Sequence, residues 1–234
     1  MPLSLNTRGV GDVTIVHCSG RIVAGSENES LRDHVRGLLP DRRDVILDLG
    51  EVIFIDSSGL GTLVRLLTSL RRAQGDLKLC NLPRDVHKVL KMTNLLSLFD
   101  THACEADAIS AFYQHTTTGR NPECPGPTIL CVDQSADVLA YLRELLRRAG
   151  YNVLTNSNIR DSLILIRAAR PDLLLLGPHL ESSPAILESF RAVSNTLPVI
   201  ELGNDFSTLD AGRAASELLQ KLRTRLPSPS GLAS

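Results

Sequence analysis

The sequence contains no tryptophan, and aromatic residues make up only 3% of its 234 residues. Proteins that bind single-stranded nucleic acid commonly stack bases on aromatic side chains, so this function is not expected. The charges agree, because 25 basic and 26 acidic residues leave a formal net charge of -1 and no general attraction for phosphate groups. We therefore expect no nucleic-acid partner.

Long apolar runs and metal-binding spacings are also missing. No run approaches the roughly 20 apolar residues of a membrane-spanning helix, and residues 1–8 lack the features of a secretory signal. The five cysteines form no C-x-x-C pair, and the six histidines show no H-x-x-x-H spacing. Cys18, Cys80 and Cys131 lie in strand-like runs and are expected to be buried apolar residues. These absences favour a cytoplasmic protein with no membrane partner, no cofactor and no bound metal.

Two segments poor in apolar residues divide the chain. Residues 116–126 contain two prolines and two glycines without apolar periodicity, which predicts a linker. Residues 227–234 cannot bury apolar surface and are predicted to be a disordered tail. We therefore expect two domains, at 1–115 and 127–226, each close to the commonest domain size.

Both predicted domains alternate strands with helices. Strands are predicted at 12–18, 45–49, 77–80, 128–132, 151–154, 173–176 and 198–202. Between them, apolar residues recur at helical spacing, as in Leu60, Leu63 and Leu67. This alternation predicts an α/β fold, with a helix-packed sheet in the first domain and a doubly wound parallel sheet in the second.

The most informative motif is the run Asp-Ser-Ser-Gly-Leu-Gly at residues 56–61, between a strand-like and a helix-like segment. The first turn of a helix has unpaired backbone N–H groups and the positive end of the helix dipole, so it favours oxygen acceptors and negative charge. The two glycines of the run leave the hydroxyls of Ser57 and Ser58 reachable. From the turn alone, these serines could be phosphorylated or could simply cap the helix.

Residues 45–65 resemble the central motif of STAS domains, the fold of bacterial anti-sigma-factor antagonists. The resemblance rests on the strand that contains Asp48-Leu49, a second apolar run and the turn 56–61, in that order. The segment 19–22, Ser-Gly-Arg-Ile, also matches the family before the first helix. The resemblance covers about residues 1–115.

The resemblance implies a modification site and a partner. In STAS antagonists, a partner serine kinase phosphorylates the serine directly after the aspartate, which is Ser57 here, with Ser58 as the second choice. That kinase is itself an anti-sigma factor, and the unphosphorylated antagonist binds it and thereby frees a sigma factor for transcription. The residues expected to contact the partner are Asp56, Ser57, Ser58, Gly59, Leu60 and Gly61. Because the sequence has no G-x-x-x-x-G-K-[ST] loop for ATP, the chain is expected not to be an enzyme and to have no catalytic residues.

The second domain resembles a response-regulator receiver through residues 129–133, 148–153 and 170–176. Receivers accept a phosphoryl group on an aspartate after the third strand, beside an acidic pair that holds Mg²⁺, a hydroxyl residue and a lysine. The segment that follows the predicted fourth strand is too short for the last elements of the family. The resemblance therefore implies a truncated, flavodoxin-like sheet.

The chemical site of this receiver-like domain is degenerate. The acceptor position is Gly177, the acidic pair is reduced to Asp133, and the hydroxyl position is Gly203. A single carboxylate holds Mg²⁺ poorly, so the domain is expected to act by binding, including formation of a homodimer.

Three functions follow from these patterns. The first is an anti-sigma-factor antagonist controlled by phosphorylation of Ser57. The second is a response regulator with a STAS output domain, which Gly177 disfavours. The third is a STAS scaffold or accessory protein that is not phosphorylated.

Overall fold

The structure is a computed structural model of the chain. It describes residues 1–38, 43–117, 126–177, 197–203 and 211–226, together with 180, 188, 190 and 192. The chain divides into two compact units, Met1–Phe112 and Tyr113–Ser234. Most of the predicted linker and the whole predicted tail lie outside the described residues. The predicted domain limits therefore stay a prediction.

The first unit is a five-stranded sheet with helices. Its elements are β1 (Ser4–Val10), β2 (Val13–Ile22), α1 (Ser26–Leu38), β3 (Asp44–Ile55), α2 (Ser57–Arg72), β4 (Leu77–Cys80), α3 (Arg84–Met92), β5 (Asp100–His102) and the start of α4 (Glu105–Thr117). The strands lie in the order β1-β2-β3-β4-β5, and only β1 pairs antiparallel to its neighbour. The predicted α/β class is confirmed for this unit.

The two faces of this sheet differ in chemistry because side chains alternate along each strand. Val16, Leu47 and Leu79 are in register and belong to the apolar core with residues of α1, α2 and α3. The next register row lies on the opposite face. It consists of Asn6, His17, Asp48, Cys80 and His102. The sheet therefore has an apolar helix-covered face and a polar row on the other side.

The second unit contains a four-stranded parallel sheet in its described part. Its elements are β6 (Thr128–Val132), α5 (Ala136–Arg148), β7 (Asn152–Asn156), α6 (Ile159–Ala169), β8 (Leu173–Leu176), β9 (Val199–Glu201) and α7 (Ala211–Arg225). The strand order is β7-β6-β8-β9, and all pairs are parallel. The first three leucines of β8 are fully buried, as expected for a central parallel strand. The predicted parallel sheet is confirmed.

The three cysteines predicted to be buried are buried and free. Cys18 is 2% exposed, and Cys80 and Cys131 are fully buried. Burial raises the pKa of Cys18 and of Cys131 to about 12, so neither forms a reactive thiolate near neutral pH. They contribute to packing.

In the part of the chain that the structure describes, no helix combines the length and the apolar character needed to cross a membrane.

The carboxylate of Asp133, the residue that follows the neighbouring strand β6, lies against the backbone at the end of β8. Asp133, directly after β6, is fully buried, and its Oδ1 accepts a hydrogen bond of 2.6 Å from the backbone N–H of Ser135. A Cβ atom at Gly177 would lie 1.8 Å from Oδ2 of Asp133. The backbone N–H of Gly177 also donates to the carbonyl of Val132 at 2.8 Å. Position 177 therefore has no room for any side chain while Asp133 keeps its place.

We predict that Gly177→Ala destabilises the second unit by about 1–3 kcal/mol, because Asp133 or the backbone must move. Gly203→Ala is the matched control, since no atom of the described residues lies within 4 Å of a Cβ there. The measurement is urea unfolding of the full chain followed by tyrosine fluorescence. All three tyrosines, Tyr113, Tyr141 and Tyr151, lie in the second unit. Equal midpoints for the two variants would contradict the prediction.

Candidate functional site

The turn at 56–61 forms the N-terminus of α2, where Asp56 is the cap residue. One carboxylate oxygen of Asp56 accepts a hydrogen bond of 2.7 Å from the backbone N–H of Gly59, and the other accepts one of 2.9 Å from Ala24. The hydrogen bonds from Ala24 and Gly59 hold the pKa of Asp56 below its ordinary value. The carboxylate therefore stays ionised and joins the β2–α1 loop to the start of α2.

The two serines of the turn differ in accessibility. Ser57 is exposed, and its hydroxyl makes no hydrogen bond within the described part of the chain. Ser58 is half-buried, and its hydroxyl accepts a hydrogen bond of 2.9 Å from the side-chain amide of Asn28, a buried residue of α1. A macromolecular partner can therefore reach the hydroxyl of Ser57 more readily than that of Ser58.

The remaining residues of the turn are mostly internal. Leu60 is only 5% exposed and belongs to the core. A Cβ atom at Gly59 would lie 2.4 Å from the carbonyl oxygen of Ile22 and 2.8 Å from Ile55. Gly61 is half-buried, and a Cβ there would meet only Arg65, at 3.7 Å. The first glycine thus permits the close approach of α2 to the sheet, whereas the second does not serve that purpose.

Two large apolar side chains lie exposed just before this turn. Ile53 and Phe54, at the end of β3, are 63% and 48% exposed. Arg21 on β2 is in register with Phe54 on β3, and its guanidinium lies 5.1 Å from the centre of the Phe54 ring. The predicted strand ended at residue 49, whereas β3 continues to Ile55 and includes this second apolar run, whose exposure the sequence did not reveal. Both residues are close in sequence to the accessible Ser57, and exposed apolar side chains contribute to protein-binding surfaces where they form a contiguous patch.

Comparison with known proteins identifies the family. Residues 4–108 match the model of the STAS domain. BtrV of Bordetella bronchiseptica, a protein named as an anti-sigma factor antagonist, is 30% identical over 102 residues, which are 43% of this chain and 88% of BtrV. The chain belongs to the STAS-domain family.

Solved structures resemble the same part of the chain. The anti-sigma factor antagonist SpoIIAA in its unphosphorylated form is 20% identical and covers 47% of this chain and 96% of its own, with a TM-score of 0.42. An anti-sigma factor antagonist from Mycobacterium paratuberculosis is 21% identical and covers 47% of this chain and 92% of its own, also with a TM-score of 0.42. At these values the likeness adds nothing to the family assignment.

The polar face of the STAS domain carries a second cluster of functional groups. Nδ1 of His17 lies 3.1 Å from Oδ2 of Asp48, and Nε2 of His17 lies 3.2 Å from Oε1 of Glu105. These three residues offer one nitrogen and two carboxylate ligand atoms within 4.8 Å of one another. Arg8, however, pairs with Glu105, so a guanidinium already neutralises this carboxylate. The arrangement is one ion pair, between Arg8 and Glu105, together with polar contacts of His17, and it joins α4 to β1, β2 and β3.

Burial is the largest effect on Glu105 and raises its pKa above the ordinary value of 4.5, and the nearby Asp48 acts in the same direction. Arg8 and His17 oppose these effects. The sequence patterns did not reveal this cluster, because its members come from separate strands and a helix and share no spacing.

We predict a pH-dependent contribution of Glu105 to stability. Because its pKa is higher in the folded state than in the unfolded state, the contribution is complete at low pH and is lost as pH rises above 4.5 through the folded pKa. The unfolding free energy of wild type relative to Glu105→Gln should therefore fall over this interval. Asp107→Asn, at an exposed carboxyl on the same helix, is the control. A wild-type advantage that grows with pH would contradict the assignment.

A second prediction separates the two glycines of the turn. Gly59→Ala should destabilise the STAS domain by about 1–3 kcal/mol, because the new methyl group meets backbone and core atoms. Gly61→Ala should change stability by less than about 1 kcal/mol and in the favourable direction, since alanine is the better helix former. Chemical denaturation followed by far-UV circular dichroism measures both. Equal effects at the two positions would show that α2 does not approach the sheet as described.

Proposed function

We propose that this chain is an anti-sigma-factor antagonist that binds a partner acting as both anti-sigma factor and serine kinase. Phosphorylation of Ser57 switches the antagonist off and so regulates sigma-factor-dependent transcription. The carrying observation is the exposed Ser57 hydroxyl, without an intramolecular hydrogen bond in the described part of the chain, directly after Asp56. Membership of the STAS family and the similarity to BtrV support the proposal.

Electrostatics explain why a phosphate on Ser57 would affect binding more than folding. The group adds a charge of about -1.5 to -2 at neutral pH, and the N-terminus of α2 tolerates negative charge. Ser57 is exposed, so the phosphate remains hydrated in the free protein. In a complex, the same phosphate would have to lose water at the interface and near the ionised Asp56. The complex therefore loses stability while the free protein does not.

The partner-facing surface of this proposal is the turn 56–61. Asp56, Ser57 and Gly61 offer accessible atoms, whereas Gly59 and Leu60 act by holding the turn against the sheet. Ser58 is the weaker candidate for phosphorylation, because its hydroxyl is already engaged by Asn28.

In this proposal the kinase is a separate molecule, since the sequence has neither the G-x-x-x-x-G-K-[ST] loop of P-loop proteins nor the G-x-G-x-x-G loop of protein kinases. The chain is then a binding protein of the cytoplasm, where sigma factors act, and not an enzyme.

For the second unit, we infer a receiver-like domain at 127–226, joined by a linker at 116–126, that acts by binding and pairs with a second copy of itself. The parallel order β7-β6-β8-β9 is compatible with a truncated receiver sheet. The response-regulator alternative is disfavoured, because Gly177 has no nucleophile and Asp133 fills the space beside it. Gly203, at the expected hydroxyl position, also lacks an oxygen.

The central prediction concerns substitutions at Ser57. Ser57→Asp should weaken binding of the purified partner kinase at least about tenfold while changing stability by less than about 1 kcal/mol. Ser57→Ala should bind like wild type and should resist phosphorylation. Binding is measured by calorimetry, and the phosphate is located by mass spectrometry after incubation with kinase and ATP.

Ser58→Ala is the matched control, and it should still be phosphorylated at Ser57. A phosphate on another residue would refute the site. A protein that binds its partner equally well with serine or aspartate at position 57 would instead be a scaffold without this switch.

A further inference from the structure

A groove between α1 and α2 brings together positive charges that are distant in the sequence. Its volume is about 410 Å³. Four arginines line it, Arg32 and Arg36 from α1 and Arg65 and Arg72 from α2. No acidic side chain is among the described residues that line it.

Most of this charge has no counterion within the structure. Arg32 pairs with the exposed Asp33 at 3.2 Å. Arg36, Arg65 and Arg72 form no ion pair with any residue in the described ranges. Two arginines elsewhere in the same unit do have acidic partners, Arg8 with Glu105 and Arg71 with Asp76, the latter at 2.9 Å. An anionic ligand would therefore be attracted by several guanidinium groups. Three of these groups are unpaired within the described residues, so the ligand would not have to displace a carboxylate from them.

The shape and lining of the groove favour a polypeptide. Arg65 and Arg72 are about 10 Å apart along α2, at about 1.5 Å per residue, and the other two arginines lie on α1, so a chain with several carboxylates can engage more of them than a single phosphate or carboxylate can. The half-buried Val64 provides apolar surface beside Arg65, and Thr68 and Ser69 line the groove between Arg65 and Arg72. No aromatic residue lines the described groove, which disfavours stacked bases of a nucleic acid.

We propose that this arginine groove binds an acidic, amphipathic segment of a protein partner, with carboxylates on the arginines and apolar side chains against Val64. The inference deepens the proposed function and rests on it for the identity of that partner, because α2 also begins at Ser57. A partner that occupies the groove lies along the helix that carries the phosphorylation site. Docking there would add a second contact along α2 to the one at Ser57, and this second contact does not itself depend on the phosphate.

The test uses the full chain and a short fluorescein-labelled peptide with leucine on one helical face and glutamate on the others. Fluorescence anisotropy should show saturable binding that weakens as salt is added. The same peptide with glutamine at every glutamate should bind at least about tenfold more weakly. Arg36→Ala/Arg72→Ala should reduce affinity for the acidic peptide by about tenfold or more.

The control variant is Lys88→Ala/Lys91→Ala, which removes the same charge from exposed positions on α3. It should change affinity by less than about twofold if the groove, and not net charge, binds the peptide. Equal losses in the two double variants, or equal binding of the acidic and glutamine peptides, would overturn the proposal. Tighter binding of a single-stranded DNA oligonucleotide than of the acidic peptide would also overturn it.

The proposal for the groove and the proposal for Ser57 phosphorylation can be refuted separately. Ser57→Asp should leave binding of the acidic peptide within about twofold of wild type, because Arg65, the first groove arginine on α2, lies about 12 Å from Ser57 along the helix, which exceeds the Debye length at physiological salt. No binding of the peptide by a protein that the kinase phosphorylates on Ser57 would refute the groove alone. Peptide binding by a protein that is never phosphorylated would support the groove and refute the switch.

Discussion

The carboxylate of Asp56 is the group on which the geometry around Ser57 depends. It accepts backbone hydrogen bonds from Ala24, in the loop before α1, and from Gly59, in the first turn of α2. The neighbouring hydrogen bond from Asn28 to Ser58 joins the same two parts of the chain. Ser57 stays accessible because the residues on both sides of it are engaged in holding the loop and the helix together.

Local patterns predicted most of the strands and the helix start at residue 57, because cap chemistry and apolar periodicity need only neighbouring residues. Strand β1 was not predicted, since Ser4–Val10 is rich in polar residues and lies at the sheet edge, where much of it is accessible. The cluster of His17 with Glu105 and the arginine groove could not be predicted. Both depend on which elements pack together, and no spacing in the sequence records that packing.

Arginines in this STAS domain show how much the surroundings decide a residue's role. Arg8 pairs with Glu105, whose pKa is raised by burial, and this ion pair joins α4 to the sheet. Arg36, Arg65 and Arg72 face a groove without acids in its described lining. The first arrangement satisfies its charge within the fold, whereas the second leaves charge available to another molecule. The sequence alone shows the same residue type in both places.

The contact between Asp133 and position 177 also makes substitutions at these two positions interdependent. The carboxylate of Asp133 occupies the space that a side chain at 177 would need. A side chain at 177 becomes tolerable only when residue 133 is smaller or is moved aside, so its effect on stability depends on the residue at 133. The two positions therefore behave as one unit of packing, although they lie 44 positions apart in the sequence.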